Sequence, residues 1–209
     1  MGLRASIVGI CTIIAGVIVG FFVTQYMGHT PPTVTVSMSA NTVEGRPVVD
    51  VSFTTVGSVG SGLHPNWVAY LNADGNPATY FHVPAGSVVR MTINQQDSAT
   101  GLRNPYFALV RGTVGNEMTV NKKVMTSINP DDSAHTFTIP DIGVSVPLLG
   151  VASNAPSGAQ NVVQFEFIAP AAGTYRWQCF VPCGAGTLYG NGGPMQTLGF
   201  MMGNMEVSA

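Results

Sequence analysis

The sequence is poor in charge. Of its 209 residues, eight are Lys or Arg and ten are Asp or Glu, for a formal net charge of −2. With no basic cluster, the electrostatic footprint that a nucleic-acid partner requires is missing. Long amphipathic helices are missing too, because no segment after the amino-terminal run repeats its apolar residues at helical spacing. Neither a Ser-His-Asp order nor a catalytic pair of carboxylates occurs, so hydrolysis has no support. Asp131, Asp132 and Asp141, near His135, read as acidic turn residues. The G-A-G and G-N-G-G runs are followed by no helix and carry no suitably placed Lys, which excludes a phosphate-cradling loop. The chain does not read as a self-contained enzyme.

What the sequence does have is glycine (25) and proline (14) among many Val, Thr and Ser residues, the composition of short strands joined by turns. Polar and apolar residues alternate in Thr33–Ser37, Val48–Phe53, Val88–Asn94, Val162–Phe167 and Thr174–Cys179, as in half-buried strands. A hairpin is expected around Val120–Ile128, turning at Asn121-Lys122-Lys123, and further strands at Ser133–Ile139 and from Ile142 onward. A total of about eight to ten strands predicts an all-β fold, a Greek-key sandwich or barrel.

Ala5 to Met27 runs about 23 positions without a charge, long enough to cross the hydrocarbon layer as a helix. Arg4 precedes the run and the next basic residue is Arg46, so the positive-inside bias puts the amino end in the cytoplasm and the rest outside. The expected plan is a cytoplasmic stub (1–4), a transmembrane signal anchor (5–27), a linker with the first strand (28–47), and a β domain (48–209). A cleaved signal peptide is the competing reading. Cys11 follows Ile10, where bacterial lipidation wants a small residue, and it reads as a small apolar side chain of the helix. Met1-Gly2 through Ser6 matches a myristoylation pattern, which beside a membrane span is read as coincidence.

Sulfur is concentrated near the carboxyl end, in Cys179, Cys183, Met195, Met201, Met202 and Met205. Two thiols and a thioether, joined by an imidazole from elsewhere, are the ligand types that select soft metals, copper above all. His135 precedes T-F-T-I-P, and P-A-A-G-T-Y-R-W-Q-C follows about forty residues later. C-F-V-P-C-G and M-M-G-N-M-E-V complete the series. In this order the segments resemble the cupredoxin superfamily, and within it the copper domain of cytochrome oxidase subunit II most of all. The resemblance spans roughly Val83 to Val207.

The resemblance implies a cupredoxin-like β-sandwich binding copper. His135 would be the early imidazole, Cys179 and Cys183 the two thiolates, and Met201 the thioether, with Met195 as a possible substitute. Spacing is compatible: two cysteines four apart on a loop can face one centre, and His135 can arrive from a neighbouring strand. The departure is at Leu198, where the family supplies a second His, and no His follows His135. His64 and His82 lie outside the family's ligand positions and read as surface or partly buried residues. Three states stay open: a sulfur-heavy mononuclear copper site, a Cu(I) site for delivery or storage, and a Cys179–Cys183 disulfide, which an extracytoplasmic setting permits. The expected function is one-electron transfer by a membrane-anchored, extracytoplasmic copper protein of a cytochrome oxidase-like respiratory chain, with a redox protein or respiratory subunits as partners. The alternatives are a metal-free interaction subunit and a Cu(I)-handling protein.

Overall fold

The computed structural model describes residues 2–24, 32–62, 64–101, 104–184 and 193–209. The expected end of the membrane span (25–27), most of the linker (28–31) and most of the glycine-rich loop (187–192) lie outside the described residues. The chain separates into two compact units, one up to Pro31 and one from Pro32 onward.

The first unit is helix α1 (Gly2–Phe22). Its Arg4–Phe22 portion has a mean hydropathy of 2.5 and is long and apolar enough to cross a membrane. Ser6 and Thr12 do not interrupt it, because each hydroxyl donates to the carbonyl four residues earlier, at 3.0 and 2.9 Å.

The second unit is a β-sandwich, with twelve strands among the described residues. One sheet contains β1 (Ser37–Val43), β2 (Arg46–Val56), β3 (Ala69–Leu71), β5 (Val88–Gln95), β6 (Met118–Val120), β7 (Lys123–Met125) and β10 (Asn161–Ile168). Its order is β1-β2-β5-β10-β6-β7, with β3 also paired to β2. The other contains β4 (Tyr80–Pro84), β8 (Ser133–Ile139), β9 (Val144–Leu149), β11 (Gly173–Gln178) and β12 (Met202–Ser208), in the order β4-β12-β11-β8-β9. The predicted all-β sandwich is therefore the observed fold. One expected strand is displaced. Thr33 bridges Tyr80 of the second sheet, and the chain then crosses to the first sheet, where pairing begins only at Ser37.

Period-two burial builds the core. Val49, Val51 and Phe53 of β2, Val89, Met91 and Ile93 of β5, and Val163, Phe165 and Phe167 of β10 point inward. Phe81, Phe137, Trp177, Met205 and Val207 meet them from the other sheet. Trp177 is the hub: its ring lies 4.8 Å from Phe137, 4.9 Å from Tyr70 and 5.5 Å from Phe53, centroid to centroid. Its indole N–H donates to the Thr79 carbonyl at 3.0 Å, which satisfies the one polar atom it buries. Opposite Trp177 on β12 stands Gly203, where a Cβ would collide with that same carbonyl. Strand β8 differs from its neighbours in being buried along all seven residues, so both of its faces are covered. The candidate site grows from it.

Candidate metal centre

Two strands bring the key residues together. Gln178 of β11 pairs with Thr138 of β8, so the residues that follow β11 run beside the start of β8. Cys179 is the first residue past β11. Its N–H donates to the Met201 carbonyl at 2.9 Å, and its sulfur accepts from the Thr136 N–H at 3.4 Å. Phe180 N–H donates to the Thr136 hydroxyl at 2.8 Å, which pins the turn that follows. The chain then doubles back, and both thiols reach the Val181 carbonyl, Cys179 at 3.4 Å and Cys183 at 3.0 Å. His135 lies where the β8–β9 register shifts, between Ser133 and His135. Such an irregularity re-aims a side chain without ending the strand.

The result is a cluster of His135, Cys179 and Cys183 whose ligating atoms all lie within 4.8 Å of one another. His135 Nδ1 is 3.1 Å from Cys183 Sγ and 4.0 Å from Cys179 Sγ. The two sulfurs are 3.4 Å apart and are not joined as a disulfide. Exposure is 1% for His135, 0% for Cys179 and 3% for Cys183, which sets them inside the domain. Metal–nitrogen and metal–sulfur bonds of about 2.0 and 2.3 Å in tetrahedral geometry separate their donors by about 3.5 to 3.8 Å. The observed separations bracket that span, so one ion fits among these atoms with small shifts. Two soft sulfurs and one imidazole suit copper better than a hard cation.

The site's charges depend on one another. Burial pulls the His135 imidazole down, but the Asp97 carboxylate on its far nitrogen and the Cys179 sulfur raise it from 6.5 to about 9. Burial pushes Cys179 up, yet hydrogen bonds from Cys183 and His135, with the imidazolium charge and the Thr136 N–H, hold it well below an ordinary thiol. Cys183 is driven well above, by its hydrogen bond to Cys179, by burial and by the neighbouring negative charge. Although Cys183 is the sulfur nearer Nδ1, the Thr136 N–H points at Cys179, and the thiolate settles there. Burial and then the two sulfurs also push the Tyr70 phenol well up; it stays protonated and donates to the Thr136 carbonyl at 3.1 Å.

The two thioethers are placed differently. Met201 is buried in the core and meets the cluster through its backbone carbonyl. Met195, in a 3-10 turn at Pro194–Gln196, has its Sδ 3.2 Å from the Cys183 amide nitrogen, on the sulfur-bearing loop. Leu198 is 44% exposed and bridged to Met202. His82 is exposed on β4, as the sequence suggests. His64 stacks on Trp67 with the ring centroids 3.7 Å apart, and Phe200 packs edge-on against both. A cavity of about 380 Å³ reaches His135 and Cys183 from the Trp67 side.

Asp97 is the residue that sequence reasoning misses. Its Oδ2 lies 3.0 Å from His135 Nε2, opposite the sulfurs. It follows β5 in a stretch with no periodicity, and nothing in its neighbourhood points to a partner 38 positions away. Such a signal exists only in three dimensions. Burial pushes its carboxyl up, but His135 outweighs this and holds it below the ordinary carboxylate range.

No protein-family model matches the chain, and no curated protein matches it in sequence. Among solved structures, a chain of a heme-copper terminal oxidase dimer matches over 99% of this chain and 97% of its own, at 14% identity and a TM-score of 0.34. Auracyanin B matches over 83% and 98%, at 12% identity and a TM-score of 0.35. Reduced rusticyanin matches over 83% and 100%, at 14% identity and a TM-score of 0.31. These superpositions are loose, and the sandwich assignment stands on the strand pairings described above.

Proposed function

We propose that this chain is a membrane-anchored, cupredoxin-like copper protein whose β domain lies outside the cytoplasm and passes single electrons, in association with a respiratory chain of the cytochrome oxidase type. The observation that carries the reading is the convergence of His135, Cys179 and Cys183 inside the sandwich. A bound copper ion would supply one-electron redox chemistry through its covalent bonds to thiolate. The protein residues do the rest. His135, Cys179 and Cys183 would hold the ion, with Met195 or Met201 as the thioether. Burial keeps water from the Cys179 sulfur, and the Thr136 N–H stabilises negative charge on it. Anchoring is supported by helix α1, and the outward orientation by Arg4. The respiratory setting rests on the likeness of the His135, Cys179 and Met201 segments to the oxidase copper domain.

Protein purified without reductant, then analysed for metal and titrated for thiols, tests this directly. We expect about one copper per chain and a thiolate-to-Cu(II) absorption band. A copper-free protein that takes up none on addition, with Cys179 and Cys183 joined, would instead make the domain a metal-free interaction subunit. A second reading, Cu(I) handling, is favoured by the single imidazole of the cluster, the Met195 thioether and the cavity beside Cys183. Its mark is tight Cu(I) binding with no reversible Cu(II) form.

A further inference from the structure

We infer that Asp97 is the positioning residue of this centre: held in a cradle built from three separate parts of the chain, it fixes which nitrogen His135 turns to the sulfurs. The inference rests on the copper reading above for its role, though not for its geometry. A lone imidazole can carry its neutral-form proton on either nitrogen and can flip about its Cβ–Cγ bond. Here the Nε2–H donates to Asp97 Oδ2 at 3.0 Å, which leaves Nδ1 as the donor atom facing Cys183 and Cys179. A metal-ligating histidine with a carboxylate on its second nitrogen is both oriented and made a stronger ligand.

An aspartate in a turn commonly accepts from the following N–H, and Asp97 does this through Oδ1, with Ser98 N–H at 2.8 Å. That local contact does not account for the remaining construction. The Asp97 carbonyl accepts from the Gln95 side chain at 3.0 Å and from the Val151 N–H at 2.9 Å. Gln95 is itself fully buried and hydrogen-bonded by the Thr55 hydroxyl of β2. At Gly57, just past β2, an added Cβ would stand 2.6 Å from Oδ1 and 3.0 Å from the carboxyl carbon. Only hydrogen fits there. The end of β5 and the segment after β9 therefore grip the Asp97 backbone, the end of β2 closes on its carboxylate, and the outer carboxylate oxygen meets His135.

The test uses the full-length chain in detergent, with Asp97→Ala, Asp97→Asn and Gly57→Ala compared with the parent. Copper affinity is read by competition with a chromophoric chelator. The His135 ring N–H is read by proton–nitrogen NMR in metal-free protein. Asp97→Ala should weaken copper binding about 10–100-fold and abolish the slowly exchanging Nε2–H signal. Asp97→Asn keeps an acceptor but loses the charge; it should retain the N–H signal, weaken binding less, and raise the copper reduction potential. Gly57→Ala should reproduce part of the Asp97→Ala loss by displacing the carboxylate while leaving it chemically intact, and it carries the test if Asp97→Ala fails to fold. Copper affinity within about twofold of the parent in all three variants, with the ring signal unchanged, would overturn the inference. If the parent binds no copper, the copper reading falls alone, because the ring signal still decides whether Asp97 orients His135.

Discussion

Single residues divide here into those that hold the sandwich and those that set the centre. Trp177 belongs to the first group. It is fully buried, central to the aromatic cluster, and hydrogen-bonded through its indole. Trp177→Ala should cost about 3–5 kcal/mol, or roughly 10 °C in melting temperature by calorimetry, and a change under about 2 °C would contradict this packing. Leu198 bears on the second group only through the proposed resemblance, which sets it where a second imidazole is expected, and its side chain is part exposed. Leu198→His should therefore tighten copper binding by about tenfold or more and shift the absorption spectrum. An unchanged spectrum would mean that the 195–202 segment does not turn this position toward the sulfurs.

Among the elements, the hairpins show how local chemistry sets register. Strands β6 and β7 are joined by two residues, Asn121 and Lys122, both at positive φ, 50° and 71°. Such two-residue turns favour Asn followed by Gly, and Lys122 carries a side chain where glycine fits better. Lys122→Gly should stabilise the domain by about 1 kcal/mol, visible as a melting-temperature rise of about 2–4 °C with copper binding unaltered. This hairpin was legible in the sequence, as were β2, β5, β10 and β11, because each alternates strictly. That His135, Cys179 and Cys183 come together was legible only through the resemblance of their segments to a known family, since no periodicity links positions 44 to 48 residues apart. Asp97 and Gly57 were not, since a carboxylate in an aperiodic loop and a glycine in a Gly/Ser run carry no mark of the partner each meets across the fold. The Thr33–Ser37 strand was misplaced for a related reason: alternation reveals extended backbone but not which sheet it joins.

At the scale of the molecule, a core spread over two sheets and a cluster that draws on both halves of the sequence would make any bound metal and the fold interdependent. Copper held at about one hundred times its dissociation constant should add about 2.7 kcal/mol to the stability of the β domain. That corresponds to a rise of about 5–10 °C, reversed by a strong chelator, and equal melting with and without copper would count against a site formed only on folding. A chain of residues 32–209 should keep its β-sheet circular dichroism and leave the membrane fraction, since the second compact unit has its own core. The same wiring constrains biosynthesis. Strand β12 joins its sheet by lying parallel to β4, with Asn204 beside Tyr80, and antiparallel to β11, with Trp177 opposite Gly203. While the ribosome still holds residues 202–208, that sheet lacks the strand that joins β4 to β11, and Cys179 lacks the Met201 carbonyl. A nascent chain would leave its thiols without these contacts until residues 202–208 have emerged, so the cluster takes its final form only once the last strand of this sheet is in place.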